Sequence, residues 1–256
     1  MPYAIVVVPV APLRATAAHK SEMISQLLWG ECLEIIATTA DGWVQIKNQY
    51  DDYTGWASAS HLEPIDEKLF HTSATHYLPG WVNRVTMNGV PMMVPYGCLV
   101  KGYHQLSAQW GNIHVSLADA PANITTPEAA GIQLKDNALQ FLNTAYLWGG
   151  RSVFGADCSG FTQHVFRLSG ISLLRDAYQQ ATQGVTVDFL QEARLGDLAF
   201  FDNEEGRITH VGILLNDHEI IHASGKVRID PIDNQGITNA DTHLRTHKLR
   251  IIRRYY

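Results

Sequence analysis

The sequence predicts an α+β domain with a largely antiparallel sheet, preceded by small all-β units. Three observations carry this. Residues 1–66 alternate Val, Ile and Trp with polar residues in short runs. Beyond residue 123 two stretches show helical spacing. Residues 198–255 then return to short apolar runs, so helices precede strands, the order of an α+β domain.

Composition narrows the class. The chain has 256 residues, 46% hydrophobic and 17% charged, which is folded and globular. No apolar run reaches the ~18 residues of a membrane span. Ala4–Val10 is apolar but lacks a basic leader and is punctuated by Pro2, Pro9 and Pro12, so it reads as a strand rather than a signal peptide. A cytoplasmic protein is therefore expected, without a membrane partner. The net charge is −6, and the only basic cluster is Arg250, Arg253 and Arg254, which argues against nucleic acid. The three cysteines, Cys32, Cys98 and Cys158, are far apart and form no CxxC pair. That argues against a disulfide framework or a zinc ribbon and fits a reducing compartment. Neither metal nor cofactor is expected, and the chain is expected to be a monomer.

In residues 1–66 strands are predicted at Ile5–Val8, Glu31–Ala37, Gly42–Lys47 and Gly55–Ser58, with a tight turn at Asp41-Gly42. Val10 to Arg14, Gly30-Glu31, Asp41-Gly42-Trp43-Val44, Gly55-Trp56-Ala57 and His61-Leu62 together resemble a bacterial SH3 domain. Residues 67–122 read as a second, degenerate SH3-like module. Its strand candidates are Trp81-Val82, Met92–Pro95, Leu99-Val100 and Ile113–Leu117, with a turn at Pro95-Tyr96-Gly97 and a linker at Ala120–Asn123. The third domain is placed at 123–256. Thr126-Pro127-Glu128 has the cap, proline and acid of a helix start. Leu134, Ala138, Leu142 and Ala145 follow at helical spacing. Trp148-Gly149-Gly150 is a turn, Ser159 to Leu168 is a second helix, and Gly170 ends it. Strands are predicted at Leu198–Phe201, His210–Leu215, Glu219–Ala223 and Leu249–Tyr255.

Cys158 falls at the start of that second helix, where free backbone N–H groups and the helix dipole favour a thiolate with a depressed pKa. The competing reading is an inert core thiol, the usual fate of an isolated cysteine and the one assigned to Cys32 and Cys98. A cysteine nucleophile needs a base and a group to orient that base. His164 lies about 240° around the helix from Cys158 and faces away. His210 and His222 each interrupt an apolar strand, and Asn216–Glu219 between them is a turn. A hairpin would bring both imidazoles together if they share a face. Core or edge histidines, or a zinc site built from Cys158, His210 and His222, are the alternatives. Asp197 is read as a turn residue. Asp157 is either a helix cap or a substrate ligand.

Tyr146-Leu147-Trp148-Gly149-Gly150, Asp157-Cys158-Ser159-Gly160-Phe161, Leu195-Gly196-Asp197-Leu198-Ala199-Phe200-Phe201, Thr209-His210-Val211-Gly212-Ile213 and Ile221-His222-Ala223-Ser224 resemble the NlpC/P60 cysteine peptidases in order and spacing. The resemblance covers nearly the whole C-terminal half. It implies a papain-like catalytic domain with Cys158 as nucleophile, His210 as general base and His222 orienting it. It also implies a cell-wall peptide substrate, cut after γ-D-glutamate. With an SH3-like module ahead, the arrangement is similar to the γ-D-glutamyl-L-diamino acid endopeptidases, which recycle short peptides bearing a free N-terminal L-alanine. By that resemblance Asp176 would pair with the substrate amine, Tyr146 would border the scissile carbonyl, and Asp157 and Ser159 would contact the substrate. Glu22 and Tyr53 would close the far end of the pocket. Ala177 departs from the small polar residue that often follows Asp176. A wall hydrolase acting on polymeric peptidoglycan is the second reading. A non-catalytic wall-peptide binder is the third.

Overall fold

The computed structural model describes residues 2–126 and 130–256, so the predicted helix start at Thr126-Pro127-Glu128 lies largely outside the described residues. The chain forms two compact units, one up to Ile124 and one from Thr125.

Two antiparallel sheets make up most of the first unit, beside a two-stranded pairing of His76–Tyr77 with Ala122–Asn123, part of the predicted linker. One has seven strands, in the order Met23–Leu28, Val10–Arg14, Thr54–Ser58, Trp43–Asn48, Cys32–Thr38, Tyr3–Val6 and Leu62–Pro64. The other has four, in the order Val90–Pro95, Val82–Met87, Ile113–Leu117 and Ser107–Trp110. Both contribute to a single apolar cluster that joins Ile5, Leu28 and Trp29 to Val85, Val94 and Trp110. The rings of Trp29 and Trp110 lie 4.4 Å apart. Gly30 is required there, because its φ is +84° and a Cβ would stand 2.0 Å from the Leu99 carbonyl oxygen. Cys32 and Cys98 are buried in this cluster, as core thiols. Leu99-Val100 is not a strand; Leu99 makes only an isolated bridge to Tyr77.

The second unit opens with the helix Ala130–Leu139. The spacing of Leu134, Ala138, Leu142 and Ala145 predicts a longer one. The chain turns instead at Asn143, whose φ is +68°, and residues 143–144 exchange backbone hydrogen bonds with Val227. Leu142 and Ala145 are exposed as a result. The helix Cys158–Leu168 follows, one residue earlier than predicted, and is buried along nearly its whole length.

Six strands come next: Leu198–Asp202, Ile208–Leu214, Glu219–Ser224, Lys226–Asp233, Gly236–Thr238 and Arg245–Arg254. Each pairs with the next in antiparallel fashion. The last also pairs with the first, Ala199 opposite Ile252, so the sheet closes on itself as a six-stranded barrel. Val185–Val187 adds to the outer edge of the last strand. Lys226–Asp233 and Gly236–Thr238 are not signalled by the sequence pattern. Ala199, Phe201, Leu214, Ile220, Ile232, Ile237 and Ile252 from successive strands form one core cluster. Asp197 sits at the entry to the barrel, fully buried, and both its oxygens accept from Arg254, at 2.8 and 2.7 Å. Its role is structural, as the turn reading predicts.

Candidate active site

Side chains at i, i+2 and i+4 of a strand share a face. His210, Gly212 and Leu214 therefore point the same way, and Leu214 belongs to the barrel core. His222 stands with Ile220 and His247 with Leu249, each on the core-facing side of its strand. The three imidazoles thus gather at one end of the apolar core. His210 Nε2 lies 2.8 Å from His222 Nδ1. His222 Nε2 lies 2.9 Å from an Asp230 carboxylate oxygen. His247 stacks on His210, with centroids 4.1 Å apart and planes 24° from parallel. Arg228 and the Ala240 N–H donate to Asp230 from the other side.

Gly212 permits this meeting. It pairs directly opposite His222, and a Cβ on it would lie 2.7 Å from the His222 Cβ. Any larger residue would push the two strands apart at the point where the histidines touch.

Asp230 decides which nitrogens carry protons. Burial alone would raise its carboxyl, but hydrogen bonds from His222, Arg228 and Ala240 outweigh this and hold it at about 2. It is therefore a carboxylate and accepts only. His222 Nε2 must then carry a hydrogen, which in the neutral ring leaves Nδ1 as an acceptor. His210 Nε2 must in turn donate to that acceptor, which leaves His210 Nδ1 with an open lone pair. The series Asp230–His222–His210 so leaves one defined ring nitrogen able to accept a proton. Burial, and after it the neighbouring His222 and His247, hold the His210 pKa well below its usual value, so the ring is neutral at neutral pH.

Asp157 caps the helix that begins with Cys158, accepting from the Gly160 N–H at 2.6 Å. It also accepts from the Gly149 N–H at 2.9 Å and from both terminal nitrogens of Arg175, at 3.1 and 2.6 Å. Arg175 is itself buried and donates to Ser159 Oγ at 2.9 Å. The carboxylate is thus occupied by the chain's own donors, so the capping reading holds and the substrate-ligand reading of Asp157 finds no open oxygen. Ser159 is tied into the same cluster. Gly160 is needed because a Cβ would lie 2.2 Å from the Gly150 carbonyl oxygen, which locks the Trp148-Gly149-Gly150 turn against the helix.

Cys158 Sγ lies 4.0 Å from the carbonyl oxygen of Thr209, the residue before His210. Its thiol pKa differs from the expectation of a thiolate. Burial, and next the Asp157 charge, push it up to about 12, against smaller opposing effects from the Val211 backbone, Arg175 and the Ser159 backbone. The helix start is present, but desolvation outweighs it. Thiol and imidazole are thus both neutral at rest.

Tyr146 stands close enough for the Cys158 charge to act on it; burial is the main cause that raises its phenol to about 12. Asp176 is the N-cap of the short helix Ala177–Gln180, and its N–H donates to Gln179 Oε1 at 3.0 Å. His164 packs on Phe141 on the far side of the helix core. Glu22 and Tyr53 belong to the first unit, where Glu22 is exposed and Tyr53 packs on a buried apolar cluster. The suggested Cys158-His210-His222 zinc set is not what the fold assembles; His210, His222 and His247 are the grouped imidazoles, with ligand atoms within 4.8 Å of one another. Asp230, His247 and Arg175 escape sequence reasoning.

A thiol at a helix start, against the backbone of a strand whose imidazole has its tautomer imposed by a second imidazole and a carboxylate, fits a cysteine hydrolase. Residues 143–246 match the NlpC/P60 family and residues 13–62 the bacterial dipeptidyl-peptidase Sh3 domain. The chain is 30% identical to a gamma-D-glutamyl-L-lysine dipeptidyl-peptidase of Bacillus subtilis over 216 residues, covering 78% of this chain and 71% of that protein. It is 25% identical to dipeptidyl-peptidase 6 of Lysinibacillus sphaericus, across 91% of this chain and 92% of the other. An NlpC/P60 family protein of Bacillus cereus shares the fold with a TM-score of 0.80 at 21% identity, covering 99% of each chain. The chain belongs to the NlpC/P60 family, with an N-terminal SH3-like domain. It is a cysteine peptidase that hydrolyses peptidoglycan peptides.

Two outcomes are expected. Gly212→Ala should lower kcat at least tenfold by displacing His222, with KM little changed; wild-type turnover would show that the contact is dispensable. Alkylation of Cys158 in the substrate-free protein should speed up steadily with pH above neutrality, because thiolate accumulates only as pH approaches about 12. A rate already at its plateau below pH 8 would show instead that the thiol is ionised at rest.

Proposed function

We propose that Cys158 is the nucleophile, His210 the general base and His222 its orienting partner, and that the substrate is a short peptide, L-Ala-γ-D-Glu-L-diamino acid. The observation that carries this reading is the hydrogen-bonded series from Asp230 through His222 to His210, next to the Thr209 carbonyl at the thiol. As Cys158 Sγ bonds to the γ-glutamyl carbonyl carbon, His210 Nδ1 takes the thiol proton. The charge left on His210 is shared through His222 with Asp230. Collapse of the tetrahedral adduct breaks the C–N bond, and the imidazolium returns its proton to the leaving amine. Water, deprotonated by the same nitrogen, then cleaves the thioester and restores the thiol.

The catalytic unit is read as a papain-like fold, with helix-borne thiol and sheet-borne imidazole, and residues 67–122 as a second SH3-like module. The name of the B. subtilis relative supports the γ-D-glutamyl bond. We further assign the substrate's free amine to Asp176, since a desolvated ammonium needs a carboxylate, and place Tyr146 beside the scissile carbonyl. Such an enzyme would act on free peptides in the cytoplasm, in recycling of wall fragments.

The test compares kcat/KM for the free tripeptide and its N-acetylated form, in the full chain and in Asp176→Asn, with Cys158→Ala as the inactive control. Asparagine keeps the helix cap, so the variant removes charge alone. Acetylation should cost the wild type about two to three and a half orders of magnitude, the effect of unpairing a buried charge, and the variant much less. Equal rates on both peptides, efficient digestion of intact sacculi, or turnover by Cys158→Ala would contradict the proposal.

A further inference from the structure

The leaving nitrogen in acyl transfer must come within reach of the imidazole that protonates it. The released diamino acid therefore lies on the side of the His210 ring. On that side the second unit has an open groove whose wall includes Thr209, whose carbonyl faces Cys158, and His247, whose ring covers His210. It shares no residue with the Asp157–Ser159–Arg175 cluster flanking the thiol. Its remaining charged side chains are of both signs: Asp202 at the end of one strand, Glu204 in the loop after it, and Lys248 from another strand.

The state of these charges is unusual. Asp202 is 7% exposed, its Oδ1 has no hydrogen-bond partner, and its Oδ2 has only Arg250 at a distant 3.7 Å. A buried carboxylate oxygen without a donor is costly unless something else supplies one. The strand bulges between Phe201 and Asp202, directly after the residue paired with His210. Bulges re-aim side chains beside active sites. Glu204 and Lys248 are exposed. A side chain ending in ammonium alone would meet Asp202 and Glu204 but leave Lys248 repelling it. One ending in ammonium and carboxylate together would satisfy both signs.

Resting on the proposed γ-D-glutamyl-diamino acid activity, we propose that this groove binds the side chain of the leaving residue, and that it selects a diamino-dicarboxylic acid: Asp202 and Glu204 face its ammonium and Lys248 its carboxylate. The groove thereby sets specificity on the leaving-group side of the cleaved bond.

The experiment measures kcat/KM on three tripeptides that share L-Ala-γ-D-Glu and end in L-lysine, in meso-diaminopimelate, or in meso-diaminopimelate with its distal carboxyl amidated. The wild type should prefer the second over the other two by about fivefold or more, the upper end for a solvent-exposed ion pair. Lys248→Glu should invert that preference, and Glu204→Gln should lower all three rates, since all three substrates keep the ammonium. Both positions are exposed, so folding is not at stake. Equal rates on the three peptides, or a Lys248→Glu variant that loses the same factor on each, would overturn the inference while leaving the proposed function standing. Cleavage of none would overturn the proposed function itself, and this inference with it.

Discussion

A buried carboxylate orders the site. Asp230 is 1% exposed, yet it remains ionised because His222, Arg228 and the Ala240 N–H all donate to it. An ionised carboxylate with donors removed would be severely destabilising, and a well-paired one is tolerated. Once Asp230 is fixed as an acceptor, a neutral His222 leaves each following hydrogen bond only one consistent direction. His222 must donate from Nε2 and accept at Nδ1, and His210 must donate from Nε2. The ring nitrogen left bare on His210 is thus selected by a group two hydrogen bonds away. The barrel is what brings the three residues together, since they come from successive strands whose register is set by the core beneath them.

The same packing explains why the thiol is held in reserve. A helix start offers N–H groups and a favourable dipole, together a modest stabilisation of an anion. Full burial and a neighbouring carboxylate act in the opposite direction and prevail. Asp157 cannot simply be absent, because it caps the helix, fixes the Gly149 turn and neutralises Arg175. The thiol is therefore presented at the right position by a residue that also suppresses its ionisation. In the proposed mechanism His210 takes the proton during attack, which suits a ring kept neutral by burial and by two neighbouring imidazoles.

Much of this was legible in the sequence because its signals are local. The helix beginning at Cys158 follows from a capping aspartate and the spacing of Phe161, Val165 and Leu168. The His210–His222 hairpin follows from two apolar runs around an Asn-Asp turn. Asp230 was not legible: before Pro231 it reads as a turn residue, and only the pairing of Glu219–Ser224 with Lys226–Asp233 carries it to His222. Its one local signal is Arg228 two residues earlier, a charged pair alternating with buried Val227 and half-buried Ile229 in a strand. His247 sits in the polar run Thr246-His247-Lys248 and reaches His210 only because the barrel closes. The end of the first helix was misread because its apolar spacing continues to Ala145, while a competing backbone pairing to Val227 draws the chain away. Burial of the thiol is a property of the whole fold, so no local pattern could give its pKa.

The dependence of the site on Asp230 is most directly tested by the tautomer of His210, read from its ring-nitrogen chemical shifts in the ¹⁵N-labelled full chain near neutral pH. A proton on Nε2 with Nδ1 bare is the result that the Asp230–His222–His210 series requires. A proton on Nδ1 would mean that the series runs in the opposite direction, and would contradict the proposed role of His210 Nδ1 as base.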